Sequence, residues 1–112
     1  MKTINRMVVT LIPRQPYINW ANGFDDGGAE MDTEPVCATS VLIPNSFDEF
    51  NYEGFLKKHY KKLFETELEA WMTDPDLWPK KRDYETFMKW FTVVPSDAGF
   101  EMGKGPIQVE DF

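Results

Sequence analysis

Residues 6–16 read RMVVTLIPRQP, and the way this stretch divides decides the fold. Arg6 to Ile12 is rich in β-branched residues and too short for an ordinary helix, so it predicts a strand. Pro13 stops that strand because proline has no N–H to give to a ladder. Pro16 then opens PYINWANG. Proline suits a first helical turn and Gly23 suits a left-handed C-terminal cap, so a helix of about two turns is expected.

The same corner recurs downstream. Val36 to Ile43 repeats the strand signal and Pro44 ends it, so TLIPRQP is echoed by VLIPNSF. The echo is too short to establish duplication, but it predicts two related strand-to-helix corners. Ser46 and Glu49 have the spacing of a capping box, which places the start of the longest helix there. Leu56, Tyr60, Leu63, Phe64, Leu68, Trp71 and Met72 recur at helical spacing and form its apolar face. Gly54 weakens the interior, so the helix begins or bends near it.

TDPDLWP, from Thr73 to Pro79, is a turn expected to fold Leu77 and Trp78 back onto the core. Asp83 can cap a further helix whose stripe of Tyr84, Phe87, Met88 and Phe91 runs into FTVVP, the third strand. Residues 97–102 can extend that strand past a bend at Pro95 or Gly99. The expected fold is therefore a single small α+β domain over residues 1–103. It has a three-stranded sheet with helices on one face, in the order strand, helix, strand, helix, helix, strand. Parallel and antiparallel pairing of the first two strands are both compatible with the spacing. Residues 104–112 form a tail in which Ile107, Val109 and Phe112 alternate with polar residues, as in a mobile end, an edge strand or a docking peptide.

Composition narrows the function classes. The chain has 112 residues, 42% apolar and 15% aromatic, enough for one well-packed core. Its 19 acidic residues against 12 basic give −7 at pH 7. That balance argues against a nucleic-acid partner, whose affinity rests on basic residues displacing counterions. No run approaches the roughly 20 apolar residues of a membrane-spanning helix, and Pro13 cuts the N-terminal apolar run without a leader-type cleavage pattern. The one cysteine, Cys37, lies in VCATSVLI and reads as a small buried hydrophobe, which fits a reducing cytoplasm.

No motif announces a chemistry or implies a cofactor. Asp25, Asp26, Glu30, Asp32 and Glu34 crowd FDDGGAEMDTEP, but the ligand register of a calcium loop is missing, so the stretch reads as a solvated connection. His59 sits among lysines with no carboxylate or nucleophile beside it. A lone histidine and a lone cysteine do not make a zinc site. Ser40, Ser46 and Ser96 lie in no nucleophile elbow, and no glycine-rich phosphate loop is present.

Two groups of residues remain as candidates. Glu67 points toward the apolar side of the long helix, unlike its exposed neighbours Glu65 and Glu69. With Trp20, Trp71 and Trp78 it could line a ligand pocket or an interface. Lys57, Lys58, Lys61 and Lys62, together with Lys80, Lys81 and Arg82, could converge into an anion patch. The competing reading is that they neutralise the protein's own carboxylates.

PRQPYINWAN, VLIP, LFETELEAW, the Trp78-Pro79 pair and FMKWF together resemble a family of small acidic bacterial proteins described only as uncharacterised. The resemblance covers the chain to about the third strand. It implies a bacterial cytoplasmic domain and brings no activity, cofactor or site residue with it. The leading expectation is a non-enzymatic domain acting through protein association, as a homodimer or as an accessory to another protein, because aromatic residues are enriched at interface centres. The alternative is a small enzyme or ligand binder built on Glu67 and an aromatic-lined pocket.

Overall fold

The computed structural model describes residues 1–24 and 37–112. Along the chain these form β1 (Lys2–Thr3), β2 (Arg6–Pro13), α1 (Gln15–Asn22), β3 (Thr39–Pro44), α2 (Tyr52–Trp71), a 3-10 turn (Pro75–Leu77), α3 (Tyr84–Trp90), β4 (Phe91–Ser96) and β5 (Phe100–Glu101). The main sheet has the order β3-β2-β4 and is antiparallel throughout. The antiparallel alternative for the first two long strands is thus the one realised. A two-residue ladder joins β1 to β5.

Strand β2 sits in the middle and sets the two faces. Its alternating burial puts Met7, Val9, Leu11 and Pro13 on the inner face. The register sets Ile43 beside Met7, Val41 beside Val9, Val93 beside Leu11 and Phe91 beside Pro13. The helices cover this face: Leu56, Phe64 and Leu68 of α2, Tyr17 and Ala21 of α1 and Phe87 of α3 complete the core. Phe64 is its hub, with ring centroids 5.8 Å from Phe87, 5.5 Å from Trp90 and 5.7 Å from Phe91. Each fully buried side chain of this size contributes roughly 1.5–3 kcal/mol through lost contact with water. The tilted and edge-on ring pairs add further specific attraction.

The other face is laid out in four rows. Arg6 lies beside Pro44 in the end row, Leu42, Val8 and Ser96 form the next, Ser40, Thr10 and Val94 the third, and Ile12 lies beside Thr92 in the last. Among the described residues no helix packs on this side, and Leu42 and Val94 are 51% and 40% exposed. The described chain closes it at one end, where the segment after β4 folds back. There Ile4 donates its N–H to the Gly99 carbonyl at 3.2 Å. A side chain at Gly99 would come within 2.9 Å of the Ile4 side-chain end and 3.1 Å of Val8, so any substitution must displace Ile4.

Several local expectations are corrected. Gly23 is right-handed, with φ −74° and ψ −8°, and ends α1 by donating its N–H to the Trp20 carbonyl. The Ser46 and Glu49 capping box does not start α2. The Asp48 carboxylate takes the N–H groups of Phe50 and Asn51 at 2.8 and 3.1 Å, forming a separate turn before the helix opens at Tyr52. Gly54 accordingly lies in the first turn. Leu77 is 46% exposed and only Trp78 tucks inward. Cys37 is exposed, lying just before β3 and outside the sheet's inner face. Asp83 does cap α3, accepting from the Thr86 N–H at 2.8 Å, and these Thr86 hydrogen bonds hold its carboxyl below the usual range. The tail has no regular structure, and residues 103–112 are exposed.

Candidate functional site

Glu67 lies on the buried side of α2, next to Phe64 and Leu68, and is 9% exposed. Burial pushes its carboxyl above the ordinary range, and a hydrogen bond from the Thr39 side chain acts in the opposite direction. Its main-chain carbonyl accepts from the Tyr17 hydroxyl at 2.6 Å. The Tyr17 phenol is in turn raised, first by burial and then by the charges of Glu67 and Cys37. A carboxyl, a phenol and a hydroxyl thus meet where α1, α2 and β3 converge.

The three candidate tryptophans have a common role. Trp71 donates its indole N–H to the Ala21 carbonyl at 2.8 Å, which ties the end of α2 to α1. Trp20 donates to the Leu77 carbonyl at 3.0 Å and Trp78 to the Met72 carbonyl at 2.7 Å. Each indole N–H pairs with a backbone carbonyl in or near the end of an element, so these polar edges hold neighbouring segments together. All three rings pack against the core, and Trp78 also lines a groove on the exposed side of α2.

An open groove of about 690 Å³ runs along the exposed face of α2. Lys58, Lys61 and Lys62 line it together with Glu65, Glu69 and Trp78, so along α2 a basic stretch is followed by an acidic one. Lys57 is turned away, its Nζ 5.9 Å from the Tyr84 ring centre. The second basic cluster is largely occupied locally. Arg82 lies 3.6 Å from a Glu65 carboxylate oxygen, 5.8 Å from the Trp78 ring, and donates to the Pro79 carbonyl at 2.7 Å. Lys81 is 3.9 Å from Asp83, and Lys80 is exposed. Arg82 is the one residue of its cluster that bridges to α2, and it does so through an acid.

The outer sheet face is the feature that sequence reasoning missed. Of its four rows only the end one, where Arg6 lies beside Pro44, carries a charged side chain. In a chain that is 28% charged, an antiparallel face left to water would alternate polar and charged residues outward. A signal was present: the even positions Val8, Thr10 and Ile12 are as β-branched as the odd ones are apolar. Only the register shows that Leu42 and Val94 join them.

A second open groove, of about 700 Å³, continues this face past Leu42. Ile4, Leu42, Pro106, Ile107 and Val109 give it apolar walls, and Lys2, Arg6 and Glu101 lie at its margins. Neither groove is lined by Glu67, Trp20 or Trp71.

Among the described residues no cluster of three or more His, Cys, Asp or Glu side chains could hold a metal ion. Among those residues, too, no helix is long and apolar enough to cross a membrane. The acidic stretch from Asp25 to Glu34 lies outside the described residues. No known protein family, curated protein or solved structure matches this chain.

Proposed function

We propose that this protein is a non-enzymatic association domain that binds another protein through the outer face of the β3-β2-β4 sheet. The observation that supports the reading is the scarcity of charge on the outward rows, where Arg6 is the one charged residue among the described strand positions of a chain carrying −7 overall. Depletion of charged residues, more than bulk hydrophobicity, is what distinguishes the core of a protein interface. The partner is a protein, since the face offers no basic stripe to a phosphate backbone. A reducing, cytoplasmic setting belongs to the same proposal and is supported by the lone, exposed Cys37.

The experiment is site-specific photocrosslinking in cells. A photoreactive side chain at Leu42 or Val94 is expected to give a discrete, saturable protein adduct, while the same group at Lys61 on the far side of α2 gives none. Absence of adducts at both sheet positions would overturn the reading.

A second reading, a small enzyme or ligand binder centred on Glu67, draws on one observation. A carboxyl with a raised pKa sits beside a buried phenol. Isotope-labelled Glu67 titrating identically with and without a cell-extract metabolite fraction would remove it.

A further inference from the structure

We infer that the open groove along α2 is a docking site for the end of the chain's own tail, with Phe112 seated in it and the Glu110 and Asp111 carboxylates paired to Lys58, Lys61 and Lys62. The tail touches both grooves of the molecule. Val109 walls the one beside Leu42, while Phe112 lines the one on α2 together with those three lysines. Glu110 and Asp111 are the two residues between these points, and three residues of extended chain span roughly 10 Å. The acids are thereby delivered to the basic stretch of the groove wall.

Both sides of this contact are unsatisfied. Among the described residues no ion pair engages Lys58, Lys61, Lys62, Glu110 or Asp111. Lys58 repels Lys61 and Lys62, which stand three and four residues along the same helix, and acids placed beside them relieve that repulsion. Glu65, the next acid along the groove, is already engaged by Arg82 at 3.6 Å. The Phe112 ring is fully exposed, and the groove offers it the Trp78 ring and the lysine stems as apolar surface. The pivot lies in the GKG sequence. Gly105 is the one described residue with a positive φ, 78°, and has open space around it, while Pro106 stiffens the chain beyond. An acidic peptide from another protein would meet the same lysines, but the tail is tethered beside them and so acts at a far higher effective concentration. Once docked, it spans from the outer sheet face to the helix layer, and a partner that needs the α2 lysines must displace it.

Two measurements on the full chain test this, with thermal unfolding of each variant as the check on folding. The first is amide nitrogen relaxation over residues 108–112. At low salt these amides are expected to be nearly as restrained as those of α2. They should loosen to a free end in about 0.5 M salt, or when Lys58→Ser, Lys61→Ser and Lys62→Ser are combined. A tail as loose at low salt as at high salt overturns the inference. The second is carbodiimide cross-linking, which joins carboxylates to amines in contact, on a mixture of isotopically light and heavy chains. Glu110 and Asp111 should join Lys58, Lys61 or Lys62 within one chain about fivefold more often than they join Lys2, Lys80 or Lys89. Phe112→Ala should cut that yield about threefold or more. An even spread over the lysines overturns the groove as the site. Links found only between light and heavy chains overturn docking within one chain and make a second copy's tail the occupant. A Phe112→Ala yield equal to the wild type overturns the ring's part.

Discussion

The two faces of one sheet are built by the same strands, one residue out of step, and they meet opposite conditions. Inside, Met7, Val9, Leu11, Ile43 and Phe91 are sealed by three helices. Outside, among the described residues, Val8, Thr10, Ile12, Leu42 and Val94 meet sheet neighbours, the Gly99 fold-back and, at Leu42, the groove walled by the tail. The inner face is specified by packing, so its residues are large and aromatic. The outer face is specified by what it lacks. Its β-branched and hydroxylated side chains hold a strand flat and keep charge out, and the chain folds without needing more from it. One face carries stability, the other is the face proposed for contact, and mutation separates the two.

The sharpest separation is at the hub of the inner face. Phe64→Ala empties a site ringed by Phe87, Trp90 and Phe91, and should cost about 3–5 kcal/mol in denaturant unfolding. A loss under about 1 kcal/mol would mean that the core is not centred there.

Next comes the place where the described chain closes the outer side. Gly99→Val drives a branched side chain into Ile4 and Val8, with an expected loss of about 1–3 kcal/mol, because an overpacked contact must displace one of them. An unchanged midpoint would show that the fold-back lifts away without cost.

Glu67 provides a pH-dependent comparison on the inner side. Burial raises its carboxyl pKa in the folded state, so between the ordinary carboxylate range and that raised value the folded chain binds more protons than the unfolded one. Stability from this group is therefore present at low pH and lost as pH rises through the window. Glu67→Gln should raise the thermal midpoint at pH 7, with the gain shrinking to nothing below about pH 4, where both states hold the proton. A gain of the same size at both pH values would point to packing in place of ionisation.

The smallest effect on folding is expected where the effect on association is largest. Leu42→Lys should change stability by no more than about 0.5 kcal/mol, as an exposed substitution does, while abolishing the protein adduct expected from a photoreactive group at Val94. If it unfolds the chain, the outer face belongs to the core and the contrast between the faces fails.

The sequence made the elements legible where a chemical stop was absolute. Pro13 and Pro44 end β2 and β3, and the stripe of Tyr84 and Phe87 reads on into β4. It misled where several groups compete for the same hydrogen bonds. The Ser46 and Glu49 pattern is a genuine capping box in spacing, but Asp48 and Asn51 bond each other first, the Asp48 N–H reaching Asn51 at 2.6 Å. The β1 and β5 ladder is two residues long, too short to leave an alternation. Glu67 could be singled out, since helical period alone turns it inward. The charge-poor face could not be, because it is a property of register, assembled from three strands that lie 30 to 90 residues apart.

Proline has a further role along the sides of the sheet. The two outer strands, β3 and β4, carry Pro44 and Pro95, each a position with no N–H to offer an incoming strand. Growth by adding chains along the edge, the route to fibres, is interrupted on both sides. Pro44 ends β3 and Pro95 lies within β4, so each edge of the sheet carries its own guard against strand addition. Pro95→Thr reopens one edge, and light scattering that rises with time in the variant and not in the wild type would show the safeguard removed.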